Sequence, residues 1–562
     1  MTPLRIEPLS SVDAAWLGME NPTNLMMVTG IMTFAEPVAF ERMQAFIEHR
    51  WLQYDRFRKR VARPQIPFAP GNWNAAFWEP SQPFQIKDHL HDVTLPGVGD
   101  QAELQDYVSR MMSTPLEFSR PPWEMHLVQN VNGGSALVAR IHHCIADGLA
   151  MISVLLSIAD EEPDLPDPEH EVEDTGPAED GSLLEEAVQA AFQFAAGAAN
   201  GVFKLSEKLL QEAIETLANP GKAMDFARQG SEGVSSVRHL LMMEDDPKTL
   251  FKGNLQEHKR AAWTRELSLP DVKEVKNTLG GTVNDVLVSV VAGALRRYLV
   301  AEKAEDLDID IRAAIPVNLR ALEDMDQLGN KFGLVFLSLP IGIANTVDRL
   351  NEIHERMNRL KNSPEPMVFY GLLKSMGYAP RDIQSTIVGI LANKITAVMS
   401  NVPGPRKPLY IAGREVKEMM FWVPQSGRVG IGVSIFSYND KVFVGVATDK
   451  DLVPHPERIV DCFYEEYEAL LKASRAAART SASKKPAPKK EATRKKTAAK
   501  KKPGAASRAS RKPSGSTQGK AEGNEPTPDA APADDKTADE AAASPSAPRK
   551  GPSRTLKRTQ AD

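Results

Sequence analysis

Two strand-like runs, EMHLVQNV and SALVARIHH, are joined by Asn132-Gly133-Gly134, and the second runs on toward LAMISVLLSI, which reads as a buried helix. The glycines supply the positive φ of a tight hairpin turn. Strand, strand, helix in this order makes the region part of an αβ domain. Between the second strand and the helix stands His142-His143-Cys144-Ile145-Ala146-Asp147-Gly148. Successive side chains of a strand point to opposite faces, so the two histidines cannot both face one cavity. One is expected to do chemistry while the other is held by packing or hydrogen bonds. Asp147 can pair with a neighbour to hold the turn, and Gly148 lets the backbone fold tightly into the helix.

At 562 residues the chain exceeds one compact core. The boundaries are legible as composition shifts. Residues 1–159 form the αβ domain that carries the two histidines. Residues 160–181 are acidic and Pro-rich and read as an exposed linker. Residues 182–248, opened by Ser182, have helical spacing with an Ala-rich face and form a helical connector. Alternating strands and helices resume in residues 249–472, a second αβ domain. Residues 473–562 are a Lys/Ala/Pro-rich tail, expected to be disordered because it has too little apolar surface to offset ordering entropy.

The overall charge of -6 conceals an asymmetry. Residues 471–562 hold 23 Lys and Arg against 9 Asp and Glu, a balance of +14, which leaves -20 on the other 470 residues. The tail is thus either an electrostatic contact to anionic lipid, or less readily to nucleic acid, or a solubilising segment with no partner, and composition weighs contact and solubilisation evenly. The two cysteines, Cys144 and Cys462, have no metal-ligand spacing. That argues for a reducing compartment and against a disulfide scaffold or zinc site. Neither a signal peptide nor a spanning helix is expected.

The full HHxxxDG string at a strand-to-helix junction resembles the signature of the CoA-dependent acyltransferase superfamily, which includes chloramphenicol acetyltransferase, carnitine acyltransferases and the condensation domains of peptide synthetases. Further strings are similar to those of the bacterial wax ester synthase/diacylglycerol acyltransferases: Pro121-Pro122-Trp123, Asn284-Asp285, AAIPVNLR from Ala313 and SNVPGP from Ser400. Pro122 departs from the usual Leu.

The resemblance implies an α/β fold of the α+β sandwich type: two chloramphenicol-acetyltransferase-like domains with an active-site tunnel between them. It implies that His143 is the general base, with His142 as support and Asp147 mainly structural. Arg312 and Arg320 are the candidate partners of Asp147. Asn284 is a candidate oxyanion donor, beside backbone amides as an equal alternative. Asp285 is structural, and helix capping would explain both residues of that pair without chemistry. Trp123 and Pro121 are candidates for the tunnel lining, with packing the plainer explanation for Trp123 and turn geometry for Pro403.

The implied reaction moves a long-chain acyl group from acyl-CoA to diacylglycerol or a long-chain alcohol in storage-lipid synthesis, with acyl-CoA as co-substrate and neither cofactor nor metal. Its substrates are greasy, so a cytoplasmic protein touching the inner face of the membrane or lipid droplets is expected, with no specific nucleic acid. Two rivals stand beside this reading: a condensation-type enzyme acting on carrier-bound substrates, and a non-catalytic lipid-granule-binding protein.

Overall fold

The hairpin forms as its sequence requires. Strands Trp123–Val131 and Gly134–His142 pair antiparallel, and the turn places Asn132 at φ 49° and Gly133 at φ 82°. Gly134 serves differently, since a Cβ there would stand 2.0 Å from the Phe34 carbonyl oxygen. The computed structural model describes residues 7–63, 76–81, 83–163, 243–304, 307–321, 327–361, 363–377 and 381–483. Most of the expected acidic linker and helical connector, and the tail beyond residue 483, lie outside them.

Two large sheets carry the architecture. The first has six strands in the order Tyr410–Ile411, Arg414–Trp422, Met27–Phe34, Gly134–His142, Trp123–Val131 and Leu90–Thr94. The second runs Phe332–Leu339, Ile311–Asn318, Ala397–Pro403, Ile431–Tyr438, Lys441–Asp449 and Lys259–Trp263, with Leu267–Ser268 also paired to Lys441–Asp449. Helix Val283–Ala301 is apolar nearly all round, and its residues from Asp285 to Leu295 are buried without a break. Such a helix belongs inside, and it contributes its apolar side chains to the core of the second sheet. No single helix among the described residues is long and apolar enough to cross a membrane.

Strand Arg414–Trp422 departs from the expected boundaries. It lies within the second αβ segment of the sequence yet pairs with Met27–Phe34 of the first sheet, Met420 opposite Ile31. The apolar side chains of Val416, Met420 and Trp422 explain the crossing, for they are buried in the first core. The same core takes in Trp263, Phe436 and Phe443 from the second sheet, so residues 1–159 do not close a core alone. The described residues between 7 and 483 belong to one compact unit. At the other end, helix Glu457–Ser483 continues past the expected start of the tail at residue 473.

Candidate active site

The two histidines take different surroundings, as expected, although only the first belongs to the strand. Strand Gly134–His142 ends at the first, and the backbone N–H of His143 then donates to the Met26 carbonyl at 2.7 Å. His142 is buried, its ring edge-on to Phe118 with centroids 5.1 Å apart. Its Nδ1 accepts from the Cys144 backbone N–H at 3.1 Å, which leaves the ring proton on Nε2, 3.5 Å from Glu20 Oε2. His143 instead lines a cavity of about 440 Å³ with mostly apolar walls. Cys144 is fully buried, and burial pushes its thiol pKa well above the ordinary range, so the sulfur stays protonated.

His143 is held on three sides. Its Nδ1 stands 2.8 Å from Asn330 Oδ1. The Asn330 amide nitrogen donates to Asp13 Oδ1 at 2.8 Å and to the His143 carbonyl at 2.7 Å, both pure acceptors. That fixes which way the amide points. The amide oxygen facing His143 can only accept, so Nδ1 carries the proton and the lone pair is on Nε2. Trp16 stacks on the imidazole with centroids 4.2 Å apart at 14°, and Phe332 lies 5.7 Å from it. Burial pushes the His143 pKa down to about 4, with the Asp147 charge pulling the other way. The ring is therefore neutral at pH 7, as a general base must be.

Asp147 caps helix Gly148–Ile158, its Oδ1 accepting the Ala150 N–H at 3.0 Å. Its Oδ2 takes the Arg320 guanidinium at 2.7 Å and the Lys331 N–H at 2.9 Å. Of the two candidate arginines, Arg320 is the partner. Arg312 pairs with Asp246 at 3.3 Å instead. Arg320 also donates to the carbonyls of Gln327 and Gly329, each at 2.5 Å, and the Asp147 N–H donates to Gly329 at 3.1 Å. Residues 329–331 thus close on the histidine turn like a clasp, with Gly329 at φ 112° making the bend. Gly148 has no positive φ, and a Cβ there would meet nothing within 4 Å. The tight turn expected of it is made without it; it lines the cavity.

Asn284 and His143 line the same cavity, along with Pro316, Ser400 and Pro403. Thr282 caps helix Val283–Ala301, and Asp285 completes a capping box by accepting the Thr282 N–H at 2.8 Å. Asp285 also accepts from His354 Nδ1 at 2.7 Å and is buried. Asn284 has its Oδ1 occupied by the Asn401 amide, so its own Nδ2 is the group left to donate. Trp123 and Pro121 do not line this cavity. Trp123 is fully buried in the first core, donating Nε1–H to the Phe57 carbonyl at 2.8 Å and stacking on His89 at 4.5 Å. A large indole at a strand start gains more from that core than from a tunnel wall.

Sequence reasoning missed Asp13, Trp16 and Asn330. Asp13 and Trp16 are three residues apart on helix Ser11–Met19, hence on one face. The one available signal was a carboxylate inside the otherwise apolar run VDAAWLGM, which demands a buried partner. Asn330 follows Gly329 in an unremarked loop, and nothing local marks it.

A neutral, oriented imidazole on the wall of an apolar cavity, in a fold of two large sheets that share a core, is the equipment of an acyltransferase for greasy substrates. A family model for the wax ester synthase/diacylglycerol acyltransferase catalytic domain matches residues 9–287, and one for the C-terminal domain of the same family matches residues 328–471. A Mycobacterium tuberculosis protein carrying a diacylglycerol O-acyltransferase name is 28% identical over 488 residues, covering 84% of this chain and 91% of the relative. A second from that organism is 24% identical over 455 residues, covering 79% and 91%. Among solved structures, the wax ester synthase/diacylglycerol acyltransferase of Marinobacter aquaeolei VT8 superposes with a TM-score of 0.59 at 22% identity, covering 83% of this chain and all of that one. The starter condensation domain of rhizomide synthetase superposes with a TM-score of 0.50 at 12% identity, covering 84% and 95%, a likeness of fold alone. The chain belongs to the wax ester synthase/diacylglycerol acyltransferase family. It is an acyl-CoA-dependent acyltransferase of storage-lipid synthesis.

Proposed function

We propose that the chain transfers a long-chain acyl group directly from acyl-CoA to the hydroxyl of diacylglycerol or a long-chain alcohol, with His143 Nε2 as general base. The observation that carries this is the Asn330 contact on His143 Nδ1, which leaves Nε2 as the basic atom of a cavity-lining ring. The thioester carbonyl is already electrophilic, whereas the alcohol keeps its proton near pH 7. Nε2 takes that proton as the oxygen attacks the carbonyl carbon, a contribution of roughly 10²- to 10⁴-fold. The oxyanion of the tetrahedral intermediate is met by donors such as Asn284 Nδ2. Collapse breaks the carbon–sulfur bond, and the imidazolium returns its proton to the leaving CoA sulfur. The buried, protonated thiol of Cys144 supports transfer without an acyl-enzyme.

Substrates of this kind partition into lipid, and the enzyme meets them peripherally, at the inner face of the membrane or on droplets. The test of the transfer is CoA release from palmitoyl-CoA with and without hexadecanol or diacylglycerol, for the native protein, His143→Ala and His142→Ala. Release is expected only with an acceptor, and to fall by at least about 10²-fold in His143→Ala. His142→Ala should chiefly lose thermal stability. A burst of CoA release without acceptor, or full activity of His143→Ala, overturns the mechanism.

A further inference from the structure

Strands Leu90–Thr94 and Trp123–Val131 form the parallel pair at one edge of the first sheet, and their register sets His91 directly opposite His126. Glu124 precedes His126 by two residues, so it projects from the same face. One ligand atom from each of His91, Glu124 and His126 can be chosen so that all three lie within 4.8 Å of one another. None of these residues lines the acyl-transfer cavity.

His126 is the informative member. It is 8% exposed, and its Nδ1 is engaged by the Tyr107 hydroxyl at 2.8 Å. Its Nε2 is buried and makes no hydrogen bond of ordinary length among the described residues; it faces Glu124 Oε2 at 3.6 Å, an ion-pair distance. A buried ring nitrogen with only so long a contact is under-satisfied, and a cation held between it and the carboxylate would satisfy both. The His91 ring lies alongside, centroids 4.9 Å apart.

We propose that His91, Glu124 and His126 bind one first-row transition-metal ion, Zn²⁺ foremost. Two imidazoles and a carboxylate suit zinc and not the hard cations Mg²⁺ and Ca²⁺, which take oxygen ligands. With bonds of about 2.1 Å, the three donor atoms must draw somewhat closer than they stand, a movement that falls on the partly exposed His91. Tyr107 is the outer partner that selects Nε2 of His126 as the ligand atom. The Arg140 guanidinium contacts Glu124 but is anchored independently on the carbonyls of Met111 at 3.0 Å and Thr114 at 2.6 Å, so it orients the carboxylate without having to leave. Its charge opposes a cation, which makes the site one of moderate affinity. An ion there ties the edge strand to its neighbour, so its effect falls on stability rather than on acyl transfer.

The full-length protein, stripped with a chelator, is titrated with Zn²⁺ or Mg²⁺ by calorimetry and by thermal melting, beside Glu124→Gln, His91→Ala and the surface control His455→Ala. One Zn²⁺ per chain with a raised Tm is expected for the native protein and for His455→Ala. Both responses should be lost in His91→Ala and Glu124→Gln, and Mg²⁺ should give neither. Metal-free His91→Ala should keep the native rate of CoA release. The Co²⁺ form of the native protein should show visible bands of nitrogen and oxygen ligation without thiolate charge transfer, a readout that does not depend on any variant folding. Absence of stoichiometric Zn²⁺ binding, equal binding by His91→Ala, or loss of binding in His455→Ala would overturn the site.

Discussion

Asn330 reaches across 187 residues of chain to set its Oδ1 2.8 Å from His143 Nδ1. The same amide is braced by Asp13, which is 2% exposed and held above the usual carboxylate range by its burial. A carboxylate, an amide and an imidazole thus stand in a chain, with His143 Nε2 at its far end.

Replacing Asn330 by Ala removes the acceptor that keeps the proton on Nδ1. The ring can then adopt the other tautomer, which presents N–H instead of a lone pair to the acceptor alcohol. Loss of a buried hydrogen bond of about 1.4 kcal/mol or more corresponds to at least a tenfold fall in kcat. The expected signature is a fall in kcat with little change in KM for acyl-CoA. An unchanged kcat would show that Trp16 stacking alone orients the ring.

The pH dependence has a definite sign. His143 titrates at about 4 in the folded chain against an ordinary 6.5. Between those values the unfolded chain binds more protons than the folded one, so stability is complete above 6.5 and falls as pH drops toward 4. The loss from this group amounts to roughly 3 kcal/mol. Chemical denaturation from pH 7 to pH 4.5 should therefore show a shallower decline for His143→Gln than for the native protein. The acid limb of kcat/KM should also lie well below pH 6.5.

Asp147 and Arg320 form an almost fully buried pair, 6% and 3% exposed at the side chains. Removing one partner strands the other, so Asp147→Asn should destabilise by roughly 3 kcal/mol although asparagine can still cap the helix. Arg320→Met should lose a similar amount, and the double variant should cost less than the sum. Additive losses in a thermal-denaturation cycle would mean that the two charges are not coupled.

The adjacent pair at the start of helix Val283–Ala301 should separate by phenotype. Asp285→Ala breaks the capping box and the His354 contact, costing stability on the order of 1 to 2 kcal/mol. Asn284→Ala removes an amide that lines the cavity, so kcat should drop while the melting temperature holds. Equal melting temperatures for both variants would refute this division.

Removing residues 484–562 tests the basic tail and spares helix Glu457–Ser483. Each Lys or Arg near an anionic surface contributes roughly 1 kcal/mol, although only some engage at a time. Activity on dispersed substrate should be unchanged, while co-sedimentation with anionic vesicles at low salt should weaken. Binding unaltered by the truncation at low salt would leave the tail as a solubilising segment.

Much of the histidine turn was legible in the sequence because its determinants are local. The separate surroundings of His142 and His143, the hairpin turn at Asn132-Gly133 and the capping role of Asp285 follow from residues close together in the chain. Each of these depends on backbone geometry over a few residues, which any single sequence displays. The partners of those residues were decided only by the tertiary structure. Arg320 rather than Arg312 meets Asp147, Asn330 and Trp16 hold His143, and His91 comes to lie opposite His126. Strand Arg414–Trp422 crosses to the first sheet for the same reason. Pairings over such separations are set by which buried faces fit together and which buried polar groups must find partners, and neither leaves a periodic trace along the chain.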